Sequence, residues 1–176
     1  NLFNYLDRQV VPAVLTPIKE ALHLSDGCLG SIGTAFILGY FLTAPFFGYL
    51  GDRLPRKRLI AFGVLVWSVG TVLSGSAHGY VELILYRVLV GLGEASYGTI
   101  SPGWIADLYP PEKRAGALAF YSAGLNIGLL LGFFGGSWML QHYGWRSAFI
   151  ASGAPGLLLV FLLLFTVREP QRGAVD

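Results

Sequence analysis

Four stretches of this 176-residue sequence, Gly27–Gly51, Leu59–Val81, Ala115–Trp145 and Ser147–Val167, contain no Asp, Glu, Lys or Arg. Each exceeds the roughly 18 apolar residues that mark a bilayer-spanning helix. Two further spans, 1–22 and 80–108, have the same length but are interrupted by charge. The pattern predicts an all-α integral membrane fold of six transmembrane helices at 1–22, 27–51, 58–77, 80–108, 115–140 and 146–167. Only 12% of the residues are charged, against roughly 25% in a soluble domain. That shortage leaves no room for a separate water-facing domain.

The charges that do occur are distributed unevenly. Arg53, Arg56, Lys57, Arg58, Lys113, Arg114, Arg168 and Arg172 fall in alternate connections, whereas Lys19 and Arg146 lie near helix ends on the other side. Excess Lys and Arg marks the cytoplasmic face. Both ends of the chain are therefore expected in the cytoplasm, on a multi-pass protein of the cell (inner or plasma) membrane. The net charge of +2 is divided among loops and helix interiors, which gives no basic patch for nucleic acid. A single cysteine, Cys28, excludes an intrachain disulfide and a cysteine metal site. No cofactor and no metal are expected. His23, His78 and His142 fall on the face opposite the basic loops, as pH sensors or as solvated loop residues. The chain begins at Asn1 in helix-like sequence, without an initiator Met or a signal peptide, and reads as a fragment of a longer protein.

Charge inside a membrane span is costly and marks an ion or substrate path by default. In the run "YRVLVGLGEASYGTIS", residues 86–101, Arg87, Gly91, Glu94, Gly98 and Ser101 recur at intervals of three or four. They share one helical stripe. At about 1.5 Å per residue Glu94 lies about 21 Å from either end of its span, near mid-bilayer. The first span supplies a second set, "NYLDR", in which Asn4 shares a face with Asp7 and Arg8. Counting back from Leu22 places Asp7 at a depth similar to that of Glu94. Two readings stay open: structural ion pairs that lock the bundle, or a proton-coupling site of Glu94, Asp7 and Arg87. A buried carboxylate's affinity for a proton depends on how close a guanidinium stands, so moving an arginine relative to Glu94 would switch it. Arg8 and Arg87 also suit an anionic headgroup, since guanidinium matches phosphate and carboxylate oxygens. Tyr97 and Asn126 are further candidates for substrate binding, against aromatic packing and an interhelical hydrogen bond.

Backbone features point the same way. Gly124, Gly128 and Gly132 repeat every four residues, which lets two helices approach closely in lipid. Pro12, Pro17, Pro45 and Pro155 lie inside spans and should bend them where neighbours satisfy the freed carbonyls. After the second span, "GYLGDRLPRKRLI" sets Asp52 at a helix end and four basic residues behind it. An anchor to the membrane surface needs only the positive charges; Asp52 adds a group that can pair across a closing interface.

That loop, Gly48-x-x-x-Asp52-Arg53-x-x-Arg56-Lys57, resembles the signature loop of the major facilitator superfamily, between helices two and three as there, with Pro55 in place of a glycine. Arg87-x-x-x-Gly91-x-Gly93 resembles the superfamily's fourth-helix motif, linked there with proton coupling. The fifth helix lacks the glycine-proline pair of the antiporter motif. "NYLDRQVVPAV" with "GLGEASYGTISPGWIADLYPPEKRA" is most similar to spinster-like transporters of lysolipids and sphingosine phosphate. Asn-Tyr-Leu-Asp-Arg also occurs in organic anion symporters, so that branch stays open too. The resemblance implies the N-terminal half of a twelve-helix fold, made of two inverted three-helix repeats, followed at 168–176 by the start of a cytoplasmic central linker. The C-terminal half would be absent.

The function so implied is a secondary transporter working by alternating access. Glu94, Asp7 and Arg87 would couple protons, Arg8, Arg87, Tyr97 and Asn126 would bind substrate, and Gly48, Asp52, Arg53, Arg56 and Lys57 would gate the cytoplasmic side. Its partners would be the C-terminal six-helix half, membrane lipids, protons and an anionic small-molecule or lysolipid substrate. The sequence contains no nucleophile and base pair or metal-ligand set at membrane depth, which argues against a lipid-modifying enzyme. A non-transporting receptor or scaffold gives no reason for the buried charges.

Overall fold

The computed structural model of the chain describes residues 1–167 and Glu169. Among these residues there are six helices and no strand: α1 Leu2–Leu22, α2 Asp26–Gly51, α3 Arg56–Gly75, α4 Tyr80–Leu108, α5 Pro111–Tyr143 and α6 Trp145–Thr166. Apart from Glu169, the expected linker at 168–176 lies outside the described residues. α2, α3, α5 and α6 are long and apolar enough to cross a membrane; α1 and α4 carry the interrupting charges.

Local chemistry sets the helix ends. Ser25 caps α2 by accepting from the Cys28 amide at 3.3 Å. α5 runs beyond the expected 115–140 at both ends, to Tyr143 at its C-terminus and back to Pro111 at its start, where proline suits the first helical position and needs no donor. Lys113 and Arg114, expected in a loop, therefore sit in its first turn. α5 and α6 are separated by Gly144 alone, at φ 83°. A side chain would be strained in that left-handed turn. α3 begins two residues earlier than 58–77 and ends two earlier.

Helix pairing follows an internal two-fold pattern. α2 packs along α4 as α5 packs along α1, α3 packs against α6, and α3 meets α4 extensively where α6 meets α1 over a smaller seam. Exchanging α1 with α4, α2 with α5 and α3 with α6 preserves which helices are neighbours, though not how extensive each seam is. Because α1 and α4 run in opposite directions, the two triplets are related as inverted repeats. Glycines make the seams close. A side-chain carbon at Gly128 or Gly132 would overlap the Leu2 or Leu6 carbonyl oxygen of α1. Between α2 and α4, one at Gly39 would stand 2.6 Å from the Val88 oxygen, and one at Gly91 would overlap the Phe36 oxygen.

The interior divides into two apolar clusters. One, around Val10, Val14, Ile18, Ile32, Leu83 and Phe149, lies toward the end of the bundle away from the basic loops. The other, around Ile60, Val64, Trp67, Val90, Ile100 and Trp104, lies toward the basic end. The outer surface is apolar as well, with Phe120 85% and Phe165 83% exposed, as suits helices solvated by lipid. Polar and charged side chains are thereby concentrated between the clusters.

Candidate functional site

α1 and α4 carry that polar zone. Glu94 is 0%, Asp7 1% and Arg87 2% exposed. All four of Asp7, Arg8, Arg87 and Glu94 lie within electrostatic range of one another. The direct ion pair crosses between helices: Arg8 Nε donates to Glu94 Oε2 at 2.5 Å. Side chains on a helix lean toward its N-terminus, so Arg8 reaches toward the basic end and meets Glu94 there. Seven residues along one helix separate Arg87 from Glu94 by about 10 Å, and Arg87 leans the other way. Its partner by charge is Asp7, though no carboxylate lies within ion-pair distance of it among the described residues.

Asp7 is held from two other helices. Thr71 Oγ1 on α3 donates to Asp7 Oδ2 at 2.5 Å. Ser152 Oγ on α6 stands 3.4 Å from Asp7 Oδ1 while also bonding the Phe149 carbonyl at 3.0 Å. Thr71 is four residues from the end of α3 and Ser152 seven from the start of α6, about 6 and 10 Å along those helices. Asp7 therefore lies away from the basic end, whereas Glu94 is at the middle of α4. The charges form two tiers, Asp7 with Arg87 and Arg8 with Glu94, and not the single level expected from counting along α1.

Hydrogen bonding in the zone is incomplete. Glu94 Oε1, Arg87 Nε and Nη1, and Asn4 Nδ2 are buried without a hydrogen-bond partner among the described residues. Burying such groups unpaired costs roughly 1–3 kcal/mol each, more for charged ones. A fold that keeps them has donors and an acceptor to offer to a proton, an anion or a rearranged partner.

Aromatic rings frame the arginines. The Arg8 guanidinium carbon is 5.0 Å from the Tyr5 ring centroid, 5.1 Å from Phe36 and 5.3 Å from Tyr40. Tyr40 approaches α4 where Gly98 has no side chain to block its hydroxyl. Tyr97, one turn from Glu94, packs edge-on against Trp67 with ring centroids 5.5 Å apart and beside Tyr121. Asn126 is not brought to the cluster. It lies on an exposed face of α5, about 200° around the helix from Gly128, which faces α1. Residue spacing missed Tyr5, Tyr40, Phe36, Thr71 and Ser152, because all but Tyr5 come from helices far away in sequence.

Arg8 and Arg87 border one cavity of about 340 Å³ between α1, α2 and α4, whose other walls include Val11, Leu15, Leu29 and Phe36. A larger cavity of about 780 Å³ lies toward the basic end, between Asn1, Tyr109, Lys113, Gly116 and Phe120. None of the four clustered charges borders it.

At the basic end the signature loop is tied down chiefly by Arg56. Its Nη1 pairs with Asp107 at the end of α4, and its Nε donates to the Gly51 carbonyl at 3.3 Å. The Arg56 and Lys57 amides donate to Glu169 at 2.9 and 2.8 Å, so a carboxylate caps α3. Arg53 lies over the Tyr49 ring at 3.6 Å, and Asp52 is exposed at the end of α2. Gly48 faces Thr99 of α4. Asp107 shares the Gly-x-x-x-Asp-x-x-Pro spacing of Asp52, as Gly103, Asp107 and Pro110, which is the one sequence signal for its part here.

The family model described as Major Facilitator Superfamily matches residues 1–176. Protein spinster homolog 1 of Xenopus tropicalis is 43% identical over all of this chain and 34% of its own length. The human protein of that name is 42% identical over the same shares. Protein spinster of Drosophila melanogaster is 38% identical over 98% of the chain and 29% of its own length. The chain thus spans about a third of these relatives. Among solved structures, a bacterial homolog of the human lysosomal transporter spinster, in an inward-facing and unoccupied conformation, superposes with TM-score 0.87 and 33% identity. The match covers 99% of this chain and 42% of that one. A D-xylose-proton symporter at 22% identity shares the fold, with TM-score 0.85.

Proposed function

From the premise that this chain belongs to the major facilitator superfamily and matches the N-terminal half of its transporter fold, we propose that it is one half of a proton-coupled secondary transporter. It works by alternating access and moves an amphipathic anion such as a lysophospholipid or sphingosine phosphate. The observation that carries the reading is the pair of a half-buried Arg8 with a fully buried Glu94, from two different helices, beside an Arg87 whose Nε and Nη1 have no partner among the described residues. The similarity to spinster proteins supports the lipid-like substrate.

The pair supplies a coupling logic. Arg8 can serve either the Glu94 carboxylate or an incoming phosphate or carboxylate, since both are oxyanions that match its donors. A proton on Glu94 removes the internal competitor and frees the guanidinium. Proton and anion therefore favour one another's binding, and reciprocally so. Asp7 and Arg87 form the second tier of the same circuit. Gly48, Asp52, Arg53, Arg56 and Lys57 gate the cytoplasmic side, with Asp107 ordering the loop through Arg56. The basic end faces the cytoplasm of a cell membrane, following the distribution of Lys and Arg. The C-terminal six-helix half completes the cavity.

Counterflow in liposomes with the purified full-length protein tests the reading. Labelled lysophospholipid should exchange without chemical change and in preference to labelled sugar acid. Preference for the sugar acid would move the protein to the organic anion branch. Turnover of the lipid, or binding with no flux, would replace the carrier by an enzyme or a receptor.

A further inference from the structure

Arg8 and Arg87 are like charges within electrostatic range of one another, Arg87 buried and Arg8 half-buried, where repulsion is stronger than in water. Asp7 and Glu94 offset part of it. One uncharged group touches both cations: the Phe36 ring of α2, whose centroid is 5.1 Å from the Arg8 guanidinium carbon and 5.4 Å from that of Arg87. Among the described residues no other ring faces both. The negative face of an aromatic ring attracts guanidinium, and more so when water is excluded.

The ring's place is fixed by the backbone. The Phe36 carbonyl lies against Gly91, one turn from Arg87, where any side chain would overlap it. The depth of the α2 and α4 seam thus sets how near Phe36 comes to Arg87. Phe36, Arg8 and Arg87 also border the same 340 Å³ cavity.

We propose that Phe36 is a positioning residue that holds Arg8 and Arg87 together for a single phosphate or carboxylate, and so sets affinity for the transported anion. The inference rests on the carrier reading above for the identity of that anion. Without the ring the two cations would splay apart in the empty site, and binding would have to bring them back together at a cost in affinity. The ring also fixes Arg8 relative to Glu94, which is faced by Arg8, Asp7 and Arg87.

Fluorinated phenylalanines at position 36 test this in the full-length protein, since one, two or three ring fluorines withdraw π density with little change of shape. Two readouts are taken in liposomes: the KM for labelled lysophosphatidate, and the pH midpoint of the infrared band of protonated Glu94, which needs no substrate. KM should rise stepwise with fluorine number, on the order of tenfold at three fluorines, with kcat changed less. The infrared midpoint should move stepwise in the same series, and Phe36→Leu should lie beyond its end. A KM that stays at the unsubstituted value across the fluorine series, in a protein that takes up the probe, overturns the proposal whatever the midpoint does. A stepwise midpoint in a protein that takes up no anionic probe would retire the carrier reading, and with it the role in anion affinity, while leaving the ring's hold on Arg8 in place.

Discussion

Asp7 shows what a single side chain costs in this fold. Its carboxylate has been taken out of water, and Thr71 and Ser152 supply the hydroxyls that stand in for water. Thr71→Val keeps the shape and removes the donor at 2.5 Å. It should destabilise the full-length protein by about 1–3 kcal/mol, seen as a lower Tm in detergent, whereas Thr71→Ser should recover most of the loss. An unchanged Tm for the valine variant would mean that the carboxyl does not need this donor. The Arg8 and Glu94 pair predicts a pH effect with a definite sign. As pH falls and Glu94 takes up a proton, Arg8 is released and apparent affinity for an anionic substrate should rise. Initial uptake rates at subsaturating substrate, measured from alkaline to acidic pH, check the direction. The presence of these ionisable groups was legible from their spacing on α1 and α4. Their pairing was not: Arg87 shares a stripe with Glu94, but the reach and lean of the side chains give Glu94 to Arg8.

At the level of helices, glycine decides which pairs can touch. Gly128 against Leu2 and Gly91 against Phe36 admit no side chain, whereas Gly116 has open space around it. Gly128→Leu and Gly91→Leu should therefore prevent or severely weaken folding, beyond the 1–3 kcal/mol typical of overpacking. Gly116→Ala should be tolerated. Thermal unfolding profiles of the three variants separate them, and equal stability would refute the packing account. The helices themselves were readable because charge-free runs of bilayer length have few alternatives. The glycine repeat of α5 foretold a close seam but not its partner. It also held an unread consequence: if Gly124, Gly128 and Gly132 face α1, Asn126 must face away. Phe36 and Tyr40 left no local signal, since their role comes from α2 lying along α4 some fifty residues later in the chain.

For the molecule as a whole, the two ends have different jobs. The basic end is tied through Arg56 to Asp107 and, by the α3 amides, to Glu169. Partly buried pairs of this kind contribute on the order of 1 kcal/mol, enough for about a fivefold change in a two-state population. Arg56→Ala and Asp52→Ala should each raise the accessibility of cysteine probes on the basic side and lower it on the opposite side. The exchange of Arg56→Asp with Asp107→Arg should restore the balance. Unchanged labelling on both sides would remove the gate from the account. The inverted relation of α1–α3 to α4–α6 could not be found by matching the two halves of the sequence. It emerges only in the pairing of helices, because which helices are neighbours depends on close backbone approach at glycines and not on matching side chains. On the proposed mechanism, alternating access needs the charge tiers to regroup as those repeats move, with the proton driving that regrouping. Uptake of labelled lysophospholipid by full-length Glu94→Gln in liposomes tests this most directly. The variant should keep counterflow while losing accumulation driven by a pH gradient; accumulation at the unsubstituted level, with the same dependence on the gradient, would contradict it.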